Sequence, residues 1–330
     1  MQIMSKNPLL RYDHPPFAAR QAARLTPYAL VKLGLFMFGF PRNAFGSIDV
    51  TKRCNLRCSH CYFFEQDMQN KQELTIEQWV EKLEDLKKKG RSEFPFLQCT
   101  WVGGEPLIRK DLIEKGKAYF RYNTVVTNGW WPLPDWPDVN FYMSVDGTEE
   151  VHERLRNQRG LYAHMKQNAN RPDLKVIGAY CITNENKHCI EETILEWRDI
   201  FRHMVFDFYT PIEGLDNDGL WITWDERDAI IDKLLELKKI YNMFFITPER
   251  TLRLMKSKHA SSVTSNCLFA KHSFSFDVSG DLKEKCMMGV KADCSRCGCV
   301  VPYYMESLVN RRFVLADLWS TAQSTVAARH

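Results

Sequence analysis

Six times between Phe45 and Thr210 a short β-rich run is followed by a helical pattern, and that alternation restricts the chain to very few folds. The runs are FGSIDVT, FLQCTWV, YNTVVT, VNFYMSV, KVIGAYCIT and HMVFDFYT. Several are almost continuously apolar, as strands covered on both faces are. Between them the helices carry their own signals. Thr75 and Gln78 form a capping-box pair ahead of Trp79, Leu83 and Leu86. Ile190, Ile194, Trp197 and Phe201 recur at helical spacing, as do Ile230, Leu234, Leu237 and Tyr241 behind a Thr223/Glu226 cap. Repeats of this kind imply an α/β fold with a parallel sheet and right-handed crossovers. Six units predict an open, partial (β/α)6 barrel rather than a closed eightfold one. Ligands of such sheets gather at the carboxyl ends of the strands.

The unusual motifs fall at those ends. CNLRCSHC (Cys54–Cys61) follows the first run, GGEP (Gly103–Pro106) the second, TNG (Thr127–Gly129) the third, and SVDG (Ser144–Gly147) closes the fourth. Four distinctive turns on one rim argue for a single site. Cys54, Cys58 and Cys61 suit three chemistries unequally. Structural zinc usually takes four ligands, and the only other nearby donor, His60, adjoins Cys61 and is poorly placed for the same ion. A redox dithiol needs only Cys58 and Cys61 and leaves Cys54 unexplained. Three thiolates can hold three corners of a cubane cluster and leave one iron open.

Composition narrows the setting. The chain has 330 residues, 45% hydrophobic and 26% charged, with a net charge of +4, which is globular and too weakly basic to argue for nucleic acid. The N-terminus lacks a secretory pattern, so a cytoplasmic location is expected, and clustered thiols there suggest metal or catalysis before disulfides. The apolar stretch Tyr28–Phe40, interrupted by Lys32, is too short to span a bilayer. It reads as a helix packed on the domain or as one that contacts a membrane surface.

The order and spacing of these motifs over residues 45–184 resemble the radical S-adenosylmethionine (SAM) superfamily, with Cys54-x-x-x-Cys58-x-x-Cys61 as its cluster motif and WVGGEPL, VVTNG and YMSVDGTEEVHERLRN as its following strand ends. The resemblance implies a [4Fe–4S] cluster whose open iron chelates SAM. One electron then cleaves SAM to a 5′-deoxyadenosyl radical that abstracts hydrogen from a substrate or adds to it. It also implies roles for residues. Gly103 and Gly104 let backbone approach the methionine end of SAM, with Glu105 and Pro106 completing the segment. Ser144 and Asp146 fall where the family contacts ribose or carboxylate. Asn128 is a further candidate. His60 stands where the family usually places an aromatic residue near adenine. Plainer readings exist for several of these: TNG as an ordinary turn, Asp146 as an N-cap, His152 as a structural group, and Cys99 and Cys181 as buried small hydrophobes.

A second thiol group comprises Cys267, Cys286, Cys294, Cys297 and Cys299, which suits a closed cluster or a zinc site with four thiolate ligands. Within it, HSFSFDVSGDLKEKC reads as a hairpin around a Ser-Gly-Asp turn. Cysteines bracketing a hairpin resemble the SPASM/twitch extension of radical SAM enzymes, which implies one auxiliary [4Fe–4S] cluster held by Cys267, Cys286, Cys294 and Cys297, with Cys299 a substitute or bystander. The expected organisation is an N-terminal helical extension (1–44), the partial barrel (45–255) and a small C-terminal iron–sulfur module (256–330). The implied activity is radical SAM chemistry on a small-molecule or lipid substrate, with a reductant such as flavodoxin or ferredoxin. A peptide maturase and a non-catalytic iron–sulfur or zinc protein are the alternatives. A fainter likeness, from Tyr28–Phe40 and FFITPERTLRLM, is to hopanoid-adenosylating enzymes. Tyr209, Glu213 and Asp216 follow the sixth run as substrate-facing candidates.

Overall fold

All six runs form strands: β1 (Phe45–Asp49), β2 (Gln98–Val102), β3 (Tyr122–Thr127), β4 (Val139–Ser144), β5 (Lys175–Ile182) and β6 (His203–Phe208). The computed structural model describes residues 34–310 except 36, 67, 69, 90–96, 216, 217 and 243. Most of the N-terminal extension, much of Tyr28–Phe40 and Asp216 lie outside the described residues. The helices between and after the strands are α1 (Ile76–Lys88), α2 (Lys110–Gly116), α3 (Glu149–Arg156), α4 (Leu161–Ala169), α5 (Ile190–Trp197), α6 (Trp224–Ile240), α7 (Glu249–Leu254), α8 (Ser257–Thr264) and α9 (Leu268–His272). A seventh strand, β7 (Ser273–Phe276), and α10 (Val300–Val309) complete the order. Among the described residues no helix is long and apolar enough to cross a membrane.

The sheet runs β6-β5-β4-β3-β2-β1-β7, and every pairing is parallel. Helix α1 begins at the expected capping box, where the Thr75 hydroxyl accepts from Gln78 N–H at 3.2 Å and Gln78 Oε1 accepts from Thr75 N–H at 2.8 Å. Its Trp79, Leu83 and Leu86 are buried, and fully burying side chains of this size contributes about 1.5–3 kcal/mol each. On the far side Trp197 of α5 stacks on Phe201 with centroids 4.3 Å apart. Helices thus cover the outside of the sheet, and the carboxyl ends of its strands are left to build the site.

One local expectation is extended. The Phe274–Val278 run forms the expected hairpin, with Lys283 N–H donating to the Ser275 carbonyl at 2.7 Å and Asp277 N–H to the Asp281 carbonyl at 2.9 Å. Its first arm also enters the main sheet as β7, with Phe45 opposite Ser273 and Ile48 opposite Phe276. Phe274 and Phe276 are each 2% exposed and meet the rings of Phe120 and Trp79. The return arm is short: Gly280 N–H closes the turn on the Asp277 carbonyl at 2.9 Å, and Phe276 and Leu282 share an antiparallel bridge.

The cysteine-rich segment after β7 joins the two edges of the sheet. At its start, Lys283 Nζ pairs with Asp49 Oδ2 on β1 at 2.9 Å, both buried. At its end, Phe208 N–H of β6 donates to the Gly298 carbonyl at 2.9 Å, and Asp293 N–H donates to the Pro211 carbonyl at 2.9 Å. Residues 277–299 therefore run from the β7 edge to the β6 edge across the open side of the barrel.

Candidate active site

The loop carrying Cys54, Cys58 and Cys61 is tied down at each stage. Glu73 Oε1 accepts from the Thr51 hydroxyl and the Lys52 N–H at 2.8 and 2.7 Å. Gly104 N–H and Glu105 N–H donate to the Thr51 and Arg53 carbonyls at 2.8 and 2.9 Å. Asn128 Nδ2 donates to Asn55 Oδ1 at 2.9 Å, and Ser59 N–H donates to the Leu155 carbonyl of α3 at 3.0 Å. The ends of β1, β2 and β3 and helix α3 are thereby locked to one loop.

This changes the physical reason for two glycines. Gly103 has φ +121°, and a Cβ there would stand 2.6 Å from the Thr51 carbonyl oxygen. A Cβ on Gly104 would stand 2.1 Å from the Arg53 carbonyl oxygen and 3.2 Å from Cys54 Cβ. Both positions are glycine because the thiol loop packs directly on them, before any ligand is considered.

Glu105 is a brace. One carboxylate oxygen accepts from the Thr127 hydroxyl at 2.8 Å and Leu107 N–H at 3.1 Å, and the other from Asn128 N–H at 2.8 Å. It therefore stitches the end of β2 to the end of β3. Asp146 is similarly committed. It is fully buried, accepts from Arg156 Nε at 2.6 Å, and lies 3.4 Å from His60 Nε2. The N-cap of α3 is Thr148, so Asp146 does not fill that position. Arg156 and His60 hold the Asp146 carboxyl far below the usual carboxylate range against the opposing effect of burial. His152 Nδ1 accepts from Asp146 N–H at 3.0 Å, which requires a neutral ring, and burial keeps its pKa down near 3.

A cavity of about 290 Å3 opens at the strand ends. Cys54, Cys58, Cys61, His60, Gly103, Gly104, Glu105, Asn128 and Ser144 line it, whereas Asp146 and Pro106 stand behind the wall. Sequence reasoning missed Arg156, which lines the cavity and lowers the Cys58 pKa by its charge while burial raises it overall to about 11. It also missed Asp207, and it took Cys181 for a core residue. The two are register partners on β6 and β5 and both face the cavity. A lone acid in the apolar run HMVFDFYT is the signal that would have found Asp207. Tyr209 also lines the cavity, while Glu213 is exposed and lines neither this cavity nor the second.

Cys267, Cys286, Cys294, Cys297 and Cys299 line a second cavity of about 220 Å3. Cys99 is fully buried within β2. Burial raises the pKa values of Cys267, Cys286 and Cys297, and the charges of neighbouring thiolates raise them further: Cys294 acts on Cys267, Cys267 and Cys294 on Cys286, and Cys286 and Cys267 on Cys297. The first charge that Cys299 senses is Asp207 instead. Thr210, Met287, Met288 and Cys299 line both cavities and form the partition between them.

The donor set fits iron–sulfur clusters. Each cavity gathers thiols among largely apolar walls, and burial keeps Cys54, Cys58 and Cys297 protonated until a metal displaces the proton. Among the described residues no three His, Cys, Asp or Glu side chains converge on one ion position. In a cubane each thiolate addresses its own iron.

Comparison with known proteins agrees with this geometry. Residues 48–196 match the family model described as the radical SAM superfamily. The chain is 31% identical over 159 residues to the pre-heme d1 synthase of Dinoroseobacter shibae, covering 44% of this chain and 38% of that one. It is 32% identical over 127 residues to the Fe-coproporphyrin III synthase of Methanosarcina barkeri, covering 34% and 30% respectively. The crystal structure of Streptococcus suis SuiB bound to precursor peptide SuiA superimposes with a TM-score of 0.59, covering 95% of this chain and 75% of SuiB, at 14% identity. That is a likeness of fold. Residues 48–196 thus form a radical SAM domain, and the α/β fold is shared with SuiB. It spans well under half the length of the two curated relatives. The hopanoid likeness gains no support from these matches.

Proposed function

We propose that the chain is a radical SAM enzyme acting on a small molecule, with one auxiliary cluster in its cysteine-rich segment. The observation that carries this reading is the single cavity lined by Cys54, Cys58 and Cys61 together with Gly103, Gly104, Asn128 and Ser144. Those three thiols would hold a [4Fe–4S] cluster, which would supply the electron for reductive cleavage of SAM.

The chain's own part is holding, orienting and drying. Cys54, Cys58 and Cys61 are the ligands of this first site, on a loop already fixed through Glu73, Asn128 and Ser59. Arg156 presents a buried cation beside Cys58, suited to the carboxylate of SAM, and Asp146 fixes its orientation through Nε. Met287 and Met288 close the cavity on the opposite side and keep water from reactive species. Cys267, Cys286, Cys294 and Cys297 are the ligands proposed for the auxiliary cluster, and a flavodoxin or ferredoxin is the proposed reductant.

Support for a small-molecule substrate comes from the names of the two curated relatives, pre-heme d1 synthase and Fe-coproporphyrin III synthase. The SuiB likeness is one of fold and does not favour a peptide. Anaerobic reconstitution tests the reading: two cubanes give about eight irons per chain, against about four for one. Reduced protein mixed with SAM is expected to release 5′-deoxyadenosine. A protein that takes up iron yet never cleaves SAM under reducing conditions would be a binding protein instead.

A further inference from the structure

Arg227, in the first turns of α6, is 1% exposed. Its Nη1 donates to the Cys297 carbonyl at 2.9 Å and its Nη2 to the Tyr303 hydroxyl at 3.3 Å. That hydroxyl donates in turn to the same Cys297 carbonyl at 3.0 Å. The guanidinium carbon stands 4.7 Å from the Phe208 ring centroid, 4.8 Å from that of Trp224 and 5.7 Å from that of Tyr303.

Two things are missing around this cation. Among the described residues its buried Nε has no hydrogen-bond partner. Among the described residues it also forms no ion pair: Asp207 feels its charge but gives Oδ1 to Val300 N–H at 2.6 Å. Of the described residues, Asp207 is the one carboxylate whose charge responds to Arg227, and it forms no ion pair with the guanidinium, while aromatic faces offset only part of the cost of burying a cation. The environment calls for an anion. The nearby cavity supplies the donors for one, since a cubane held by four thiolates is net negative.

We infer that Arg227 is the built-in countercharge of the auxiliary cluster, holding the Cys297–Gly298 peptide in place and raising the reduction potential of a cluster bound by Cys267, Cys286, Cys294 and Cys297. The inference rests on the auxiliary-cluster reading above. Its physical basis is that reduction adds negative charge, which a fixed cation favours, and net charge and hydrogen bonding are the levers that set such potentials. Arg227 is a positioning residue, acting through the loop and through space.

The loop has other anchors, so the charge can be removed without releasing it. Gly298 N–H donates to the Thr210 hydroxyl at 2.8 Å and its carbonyl accepts from Phe208 N–H at 2.9 Å. A Cβ at Gly298 would stand 1.9 Å from the Phe208 carbonyl oxygen, so the peptide lies flush on β6.

The test compares full-length wild type, Arg227→Lys and Arg227→Gln after anaerobic reconstitution, with iron counted and both clusters titrated by potentiometric EPR. A Cys54→Ala/Cys58→Ala/Cys61→Ala variant assigns the auxiliary signal. Expected are a more negative auxiliary potential in the Gln variant, a near-wild-type value in the Lys variant, and an unchanged first cluster. Loss of about four irons in the Gln variant alone also supports the inference, because it makes the charge a condition of binding. Full iron with an unmoved potential in the Gln variant overturns it, as does equal iron loss in both variants, which would make only the shape of arginine matter. A wild type with about four irons removes the auxiliary cluster itself, and that failure is read in the iron count before any potential is measured.

Discussion

Arg156 Nε donates to Asp146 Oδ2 at 2.6 Å, and through this bond helix α3 holds a cation against the wall of the cavity that contains Cys58. Both partners are buried, so neither can be removed alone without leaving an uncompensated charge. Arg156→Met should destabilise the protein by about 3–5 kcal/mol, and the double variant Arg156→Met/Asp146→Leu should recover much of that loss. Urea unfolding of the four proteins in the cycle measures both effects. An additive double variant would show that the two residues are not coupled.

Gly104→Ala places a methyl group 2.1 Å from the Arg53 carbonyl oxygen, so the thiol loop must move. The expected result is a stability loss of about 1–3 kcal/mol, typical of forced overpacking, with the far-ultraviolet spectrum retained. Because the moving segment carries Cys54, reconstituted iron should fall by about four per chain. Normal loading in this variant would mean that the loop is far softer than its hydrogen bonds imply.

His152 sets a pH dependence of definite sign. Its pKa near 3 lies below the ordinary 6.5, so the unfolded chain binds a proton that the folded one refuses. Its contribution is fully present above pH 6.5 and is lost as pH falls towards 3. Asp146, also held low, acts in the same direction but below its ordinary value of 3.8, so the interval from about 6.5 to about 4 separates His152 from Asp146. In apo protein, His152→Gln should flatten the decline of the urea midpoint over that interval.

Asp207 works the other way. Burial raises its pKa from 3.8 to about 6, so the folded state binds the proton more tightly and stability falls as pH rises between those values. Asp207→Asn keeps an acceptor for Val300 N–H and removes the buried charge. The apo variant should gain on the order of 3 kcal/mol at neutral pH and little at about pH 4, read from the difference in unfolding midpoints. Equal gains at both pH values would place the effect elsewhere.

The six barrel strands, their parallel arrangement and the clustering of motifs at their carboxyl ends were legible in the chain because each follows from local periodicity and from turn residues close in sequence. The same holds for the capping box of Thr75 and Gln78 and for the division of eight thiols into two sets. What sequence could not carry were the relationships between segments far apart along the chain. Glu105 and Asp146 looked like ligand contacts, yet their carboxylates are consumed by Asn128, Thr127 and Arg156. Gly103 and Gly104 line the cavity, but only the structure shows that they also make room for Thr51 and Arg53. β7 was legible as one arm of a hairpin, but not its parallel pairing with β1, which buries Phe274 and Phe276. Arg156, Asp207 and Arg227 became significant only once packing removed them from water, because the worth of a charge is set by the medium and partners that tertiary structure provides.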